Sequence, residues 1–178
     1  YLRILASKWW IVLLTFLITY TMTLALTFIQ KPLYQARATF VVTLGSPFRS
    51  DKDFASAVDI LSRRTEIGTT YATVMNSRRI RRLAGDRLNL SEEQRADVAV
   101  SSRLLPGTNV LEITTQAHDP VLARDFTNAV GAVTVAYTRG LYETYNLEPL
   151  DQANLPDTPI RPNKPLNLVL GALIGLVL

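Results

Sequence analysis

Two long apolar runs lie near the ends of the chain, and a segment of mixed apolar and polar residues separates them. Residues 9–30 contain no charged side chain and are rich in leucine, isoleucine and phenylalanine. A helix of that length measures about 30 Å, the thickness of the hydrocarbon core of a bilayer. Trp9, Trp10 and Tyr34 flank the run as interfacial aromatic residues. The pattern predicts a transmembrane helix over residues 9–30 and disfavours a cleaved signal peptide, since no small-residue cleavage site follows.

The second apolar run, residues 166–178, is too short to cross a bilayer on its own. It is uncharged throughout and still apolar at Leu178, where the chain ends. We therefore expect the start of a second transmembrane helix, cut off by the end of the sequence. Because the chain also begins at Tyr1 rather than at methionine, we expect it to be part of a longer protein.

The charges beside the two runs give only a weak signal for orientation. Arg3 and Lys8 precede the first run, whereas Lys31 follows it and Lys164 precedes the second run. Basic residues favour the cytoplasmic side of a membrane protein. The prediction that residues 1–8 form a cytoplasmic stub, with the segment between the runs outside the cytoplasm, rests partly on the family resemblance described below.

Residues 31–154 have the pattern of one mixed domain. Residues 34–44 alternate between apolar and polar side chains, which predicts a half-buried strand. Residues 53–90 have a helical pattern that Asn76 and Ser77 interrupt. Serine is a favoured helix cap, so Ser77 is expected to begin a fresh helix.

The second half of the domain predicts a hairpin, a helix and a last strand. Residues 98–104 and 111–117 alternate, and the Pro106-Gly107 pair between them suits a type II turn. The Asp119-Pro120 pair is typical of a helix start, with aspartate as the cap and proline in the first turn. The apolar stripe of that helix consists of Leu122, Phe126, Ala129, Val130, Val133 and Tyr137. We predict a short final strand over residues 147–150.

The predicted order of elements in the domain is β-α-β-β-α-β. This is the order of a ferredoxin-like split βαβ sheet with its helices on one face. The fold class that we predict is α+β, a ferredoxin-like extracytoplasmic domain flanked by two transmembrane helices.

Residues 155–165 differ from the rest because proline recurs at every third position. Polyproline II has three residues per turn, so these prolines would lie along one edge of an extended segment. The segment is either a rigid connector to the membrane or a docking surface for a neighbouring helix or a second copy of the chain. The four prolines are Pro156, Pro159, Pro162 and Pro165.

Composition and motifs argue against catalysis. The chain has a net charge of +4, no cysteine and a single histidine, His118, which precedes the Asp119 cap. Cysteine-ligated zinc and thiol catalysis are excluded, and no second histidine or carboxylate cluster lies at metal spacing. No phosphate-binding loop, nucleophile elbow or dinucleotide motif occurs. We predict no catalytic, cofactor or metal site and no enzymatic activity.

One cluster of basic residues stands out against this background. Arg78, Arg79, Arg81 and Arg82 surround a single turn of a predicted helix. They form either a solvated helix face or an anion contact, with lipid headgroups or with an acidic or phosphate-linked polymer.

A pair of glycines marks the second apolar run. Gly171 and Gly175 form a G-x-x-x-G pattern. Small residues at this spacing let transmembrane helices approach closely. The pattern therefore predicts that the second helix packs against another helix.

Taken in order, these features resemble a known family. The stretches that carry the resemblance are Tyr1 to Leu5, Lys8-Trp9-Trp10, Tyr34 to Thr39, Asp119-Pro120 with Ala123 and Asn128, Ala153 to Pro156, and the proline run into a helix with Gly175. Together they look like the Wzz-type chain-length determinants, also called polysaccharide co-polymerases. The resemblance covers nearly the whole chain.

The resemblance implies a role in surface-polysaccharide assembly. Members of that family have no catalytic site, assemble as rings in the cytoplasmic membrane and set the length or export of O-antigen, capsule or exopolysaccharide. The chain is thus expected to be a multi-pass inner-membrane homo-oligomer that contacts membrane lipid, a polysaccharide and its polymerase, with no cofactor and no nucleic acid partner. Its short domain resembles the type that is paired with a cytoplasmic tyrosine kinase. The alternative is a ligand-sensing ectodomain of a membrane receptor or sensor kinase.

Overall fold

The computed structural model describes residues 9–44, 66–139 and 145–177 of the chain. They belong to two units, one formed by Tyr1–Leu33 with Pro159–Leu178 and the other by Tyr34–Thr158. We refer to the first as the helix pair and to the second as the α/β unit. The start of the helical pattern predicted from residue 53 lies outside the described residues.

The α/β unit is built on a four-stranded antiparallel sheet. Its strands are β1 (Tyr34–Leu44), β2 (Ala99–Leu104), β3 (Val110–Ala117) and β4 (Tyr145–Asp151), in the spatial order β2-β3-β1-β4. The unit is therefore mixed α+β, as predicted. The last strand is longer than the predicted residues 147–150, because residues 145–151 pair along β1.

The helices of this unit follow the predicted breaks in the pattern. Residues 66–75 are helical (α2), and they are followed by α3 (Arg78–Arg87), α4 (Glu92–Asp97) and α5 (Pro120–Arg139). Helix α5 packs against β1, β3 and β4, and α3 packs against α5. One face of the sheet is thus covered by helix, and the alternating apolar side chains of β1 and β3 are buried beneath it.

The core lies between that sheet face and the helices. Its largest members are Phe40, Tyr71, Met75, Ile80, Leu111, Ile113, Phe126, Val130 and Leu147. Gly131 of α5 lies against the Phe40 ring, where an added Cβ would overlap the ring atoms. Leu83 of α3 is exposed, because the short helix buries only the side that carries Ile80 and Ala84.

Local capping signals agree with the sequence. The Ser77 hydroxyl accepts from the Ile80 backbone N–H at 3.3 Å and caps α3. The Asp119 carboxylate accepts from the Val121 N–H at 2.9 Å at the start of α5. Gly107 has a φ of +74°, the positive value that the predicted hairpin turn needs at this position.

The helix pair consists of two apolar helices, α1 (Trp9–Ile29) and α6 (Lys164–Val177). Among the described residues, α1 is the one helix that is long and apolar enough to cross a membrane, and α6 is shorter, with 14 residues. The second span therefore stays a prediction.

The predicted boundary between connector and second helix needs a correction. Helix α6 begins at Lys164 rather than at residue 166, so Pro165 lies in its first turn and not in an extended connector. The Asn163 side chain accepts from the Leu166 N–H at 3.3 Å and caps the helix. Proline is tolerated in a first turn, because the N–H groups there have no helical partner.

Candidate functional sites in the helix pair and on the arginine face

A stripe of threonines runs along α1 where it contacts α6. The stripe consists of Thr15, Thr19, Thr23 and Thr27, one residue every fourth position. Each hydroxyl donates to the carbonyl one turn earlier in the same helix, at 2.8 to 3.0 Å. A hydroxyl satisfied within its own helix can lie in an apolar environment without an unpaired polar group.

The two predicted glycines lie against α1, Gly171 beside Thr23 of the stripe and Gly175 beside Phe16. A Cβ added at Gly171 would come within 2.8 Å of the Thr23 Cγ2 atom. A Cβ added at Gly175 would come within 2.9 Å of the Phe16 ring and 3.3 Å of the Phe16 backbone. Because backbone atoms cannot move aside as a flexible side chain can, the helices approach closely at Gly175.

Polar contacts join the two helices at the end that is nearer the α/β unit in sequence. The Asn167 side-chain amide donates to the Thr27 hydroxyl at 3.3 Å. The Lys164 ammonium nitrogen lies 5.2 Å from the centre of the Phe28 ring, within cation–π range. Leu33 exchanges two backbone hydrogen bonds with residues 160 and 161, at 2.8 and 3.0 Å. The helix pair is therefore held both by close packing and by specific polar contacts.

The four arginines of α3 are all exposed, but they are not equivalent. The Arg79 guanidinium lies 5.2 Å from the centre of the Tyr137 ring on α5. Within the described parts of the α/β unit, no carboxylate forms an ion pair with Arg78, Arg81 or Arg82. We call these three residues the arginine face.

The arginine face is electrostatically unfavourable by itself. It lies in the first turns of α3, where the helix dipole favours negative charge and where no acidic residue is present. Arg78 and Arg82 are also four residues apart, and like charges at that spacing cost about 0.2–0.5 kcal/mol. An anion bound at this face would relieve both costs.

The remaining predicted features have local structural partners. The His118 ring contacts the Asp97 carboxylate, and its backbone N–H donates to the same group at 3.0 Å. No group of three or more possible metal-ligating side chains occurs in the parts of the chain that the structure describes. Pro156 and Pro159 lie in irregular backbone before α6.

Sequence reasoning missed the threonine stripe. The stripe has the same four-residue spacing as the predicted glycine pair, and small residues at this spacing mark helix contacts in membranes. The spacing of threonine within an apolar run was therefore the signal that could have identified it.

Residues 1–84 match the family described as Wzz, chain length determinant protein. The match confirms the resemblance predicted from the sequence. It supports, at a coarse level, a chain length determinant role in polysaccharide synthesis and an inner-membrane location.

Comparisons with individual proteins add little. No curated protein matches the chain. Among solved structures, the chain is similar to the intact alpha subunit of aIF2 from Pyrococcus abyssi, with 15% identity and a TM-score of 0.35. The match covers 69% of this chain but only 35% of that one.

Proposed function

We propose, because residues 1–84 match the Wzz chain length determinants, that this protein is a non-enzymatic membrane co-polymerase that sets the length of a surface polysaccharide. The α/β unit lies outside the cytoplasm, and α1 and α6 both span the membrane. The protein works as a homo-oligomer that contacts the polysaccharide and its polymerase. The strand order β2-β3-β1-β4 supports the ferredoxin-like assignment of the domain.

The family match carries this proposal, and the close contact of α1 with α6 supplies its physical basis. A regulator without chemistry of its own acts through the geometry in which it holds its neighbours. In a bilayer, apolar helices gain little from hydrophobic burial against each other, so their arrangement depends on close backbone packing and hydrogen bonds. Gly171 and Gly175 provide the close packing, and the Asn167 amide provides a hydrogen bond to Thr27.

The test is a change at the closest point of helix contact. Gly175→Leu places a large side chain against the Phe16 backbone and forces the helices apart, and dispersion contacts fall steeply across even a small gap. We expect a changed polysaccharide length distribution on a gel when the variant is produced in a host that lacks its own copy. Ile174→Leu is the control, because Ile174 is exposed on α6 and the side chain introduced is the same.

The arginine face gives a second, independent test of the same function. We propose that Arg78, Arg81 and Arg82 contact an anionic polymer or lipid headgroup. Arg78→Gln with Arg81→Gln should shift the length distribution, because the pair loses its charge while keeping helix propensity. Arg79→Gln is the matched control, since Arg79 contacts Tyr137.

Two results together would contradict the mechanism. They are a normal length profile with Gly175→Leu and a normal profile with the double arginine change, each at normal protein level. The ligand-sensing ectodomain would then become the better account.

A further inference from the structure

The sheet face opposite the helices carries a connected set of planar polar side chains that the proposed function does not use. These side chains extend across three strands, with Gln35 and Arg37 on β1, Arg103 on β2, and Glu112 and Gln116 on β3. Each position points away from the core by strand alternation, since the neighbouring residues on β1 and β3 are buried.

Glu112 is the centre of this set. Its Oε1 atom accepts from Arg103 Nε at 3.0 Å and lies 2.8 Å from Arg103 Nη2, while Oε2 lies 3.8 Å from Arg37 Nη1. The Glu112 side chain is only 12% exposed, whereas Arg37 and Arg103 are 61% and 70% exposed. One covered carboxylate therefore orients two guanidinium groups whose outer edges face solvent.

The Gln35 amide extends the set along β1. With its oxygen turned toward Arg37, it accepts from Arg37 Nε at 2.7 Å and from Nη2 at 2.8 Å. Its nitrogen then lies 3.1 Å from the Gln116 amide and donates to it when that amide is turned to present its oxygen. These contacts fix the plane of the Arg37 guanidinium, so less side-chain entropy is lost when a ligand binds to it.

A shallow depression of about 230 Å³ lies among these groups. It is lined by Gln35, Arg37, Ser101, Arg103, Glu112 and Thr114. Two arginines and one glutamate leave a net positive charge at its walls. None of the lining side chains is aromatic, so a ligand here is held by hydrogen bonds and charge and not by ring stacking.

We propose that this depression binds one acidic sugar unit of the polysaccharide. A sugar carboxylate matches the planar donor fork of an arginine, and the exposed edges of Arg37 and Arg103 offer two such forks. Ring hydroxyls find alternating donors and acceptors on Gln35, Ser101 and Thr114. The inference rests on the proposed role in polysaccharide assembly and adds to it the chemical class of the unit that is recognised.

The test measures binding to the full chain in detergent micelles. We expect tetragalacturonic acid, an acidic oligosaccharide, to bind in isothermal titration calorimetry, and maltotetraose, a neutral one, not to bind. Arg37→Gln should lower the affinity for tetragalacturonic acid by about tenfold, because the variant loses a charge-assisted hydrogen bond. The affinity of Arg37→Lys should lie between those of the unchanged chain and Arg37→Gln, since lysine keeps the positive charge but lacks the planar donor pair of arginine.

Arg139→Gln is the matched control, because it removes an exposed arginine at the end of α5 and leaves the sheet face intact. Its affinity for the acidic probe should equal that of the unchanged chain. Circular dichroism of each variant checks that the fold is kept, which is expected because Arg37 is largely exposed.

Three results would overturn the inference. They are an absence of binding to tetragalacturonic acid, equal affinity in Arg37→Gln and the unchanged chain, and a change in oligomer size with Arg37→Gln in place of a change in affinity. The last result would identify the face as a contact between copies. If tetragalacturonic acid does not bind but Gly175→Leu still alters polymer length, the inference fails and the proposed function stands. If the acid binds but polymer length does not change, the proposed function fails while the binding site stands.

Discussion

The helix pair and the α/β unit bury opposite kinds of side chain. In the α/β unit large apolar residues, such as Phe126 and Tyr71, are buried, and most of the described arginines are exposed. In the described part of the helix pair the buried positions are Thr27, Gly171 and Gly175, while most leucines, the isoleucines and both tryptophans are exposed. One unit is stabilised by removing apolar surface from water, whereas the other keeps most of its apolar side chains exposed, as the proposed membrane location requires.

This difference separates two ways in which a substitution can act. In the α/β unit the volume of a core side chain sets stability, because lost methylene groups leave a cavity. In the helix pair the spacing of the backbones matters most, and a larger side chain does more harm than a smaller one. The predictions that follow test this contrast, from the largest expected effect to the smallest.

Phe126→Ala should destabilise the α/β unit by about 3 kcal/mol, because truncation of a buried aromatic leaves a cavity between α5 and the sheet. The free energy of unfolding is measured by urea titration of the full chain in micelles, followed by circular dichroism. Val121→Ala on the same helix is the control and should change little, because Val121 is 44% exposed. Equal effects in the two variants would show that α5 does not bury the side that carries Phe126.

Asn128→Ala should destabilise the same unit by about 2 kcal/mol. The Asn128 amide accepts from the Ala153 N–H at 2.9 Å and donates to the Ala153 carbonyl at 3.2 Å, so it holds the segment after β4 against α5. Asn154→Ala, at an exposed neighbouring position, is the control. Hydrogen exchange at the Ala153 amide should rise in Asn128→Ala, and unchanged exchange would contradict the contact.

Thr115→Val should stabilise the unit by about 1 kcal/mol. The buried Thr115 hydroxyl has no hydrogen-bond partner among the described residues, and a buried unpaired hydroxyl costs free energy that valine avoids at similar volume. Thr134→Val should not stabilise, because the Thr134 hydroxyl donates to the Val130 carbonyl at 2.7 Å. The same urea titration compares them, and stabilisation by both or by neither would refute the assignment.

Gly175→Leu should leave the unfolding of the α/β unit unchanged and affect only the helix pair. The chain has no cysteine, so Thr27→Cys with Asn167→Cys introduces the only thiols, at positions whose side chains meet at 3.3 Å. The disulfide should form readily in membranes and form less when Gly175→Leu is added. An equal yield of disulfide would mean that Gly175 does not set the helix spacing.

Local signals made much of the α/β unit predictable. The alternation of β1, the Ser77 cap and the positive φ of Gly107 each depend on residues next to one another in the chain. Helix α6 begins two residues before the predicted residue 166, because the Asn163 side chain caps it and proline is tolerated in its first turn.

Contacts between distant parts of the chain were not predictable in the same way. The ion pair of Arg103 with Glu112 depends on the register that places them opposite each other across β2 and β3. The contact of Arg79 with Tyr137 depends on how α3 packs against α5. It distinguishes Arg79 from the other three arginines of α3, which the sequence pattern could not do. The pairing of the threonine stripe with Gly171 likewise needs the two helices side by side.

The length of the polysaccharide made with and without this protein tests the central claim most directly. A host that lacks its own chain length determinant is given the full-length protein, and its surface polysaccharide is separated on a gel beside that of the empty host. The account predicts a distribution clustered around a preferred length when the protein is present and a broad, unregulated ladder when it is absent. Identical ladders at normal protein level would contradict it.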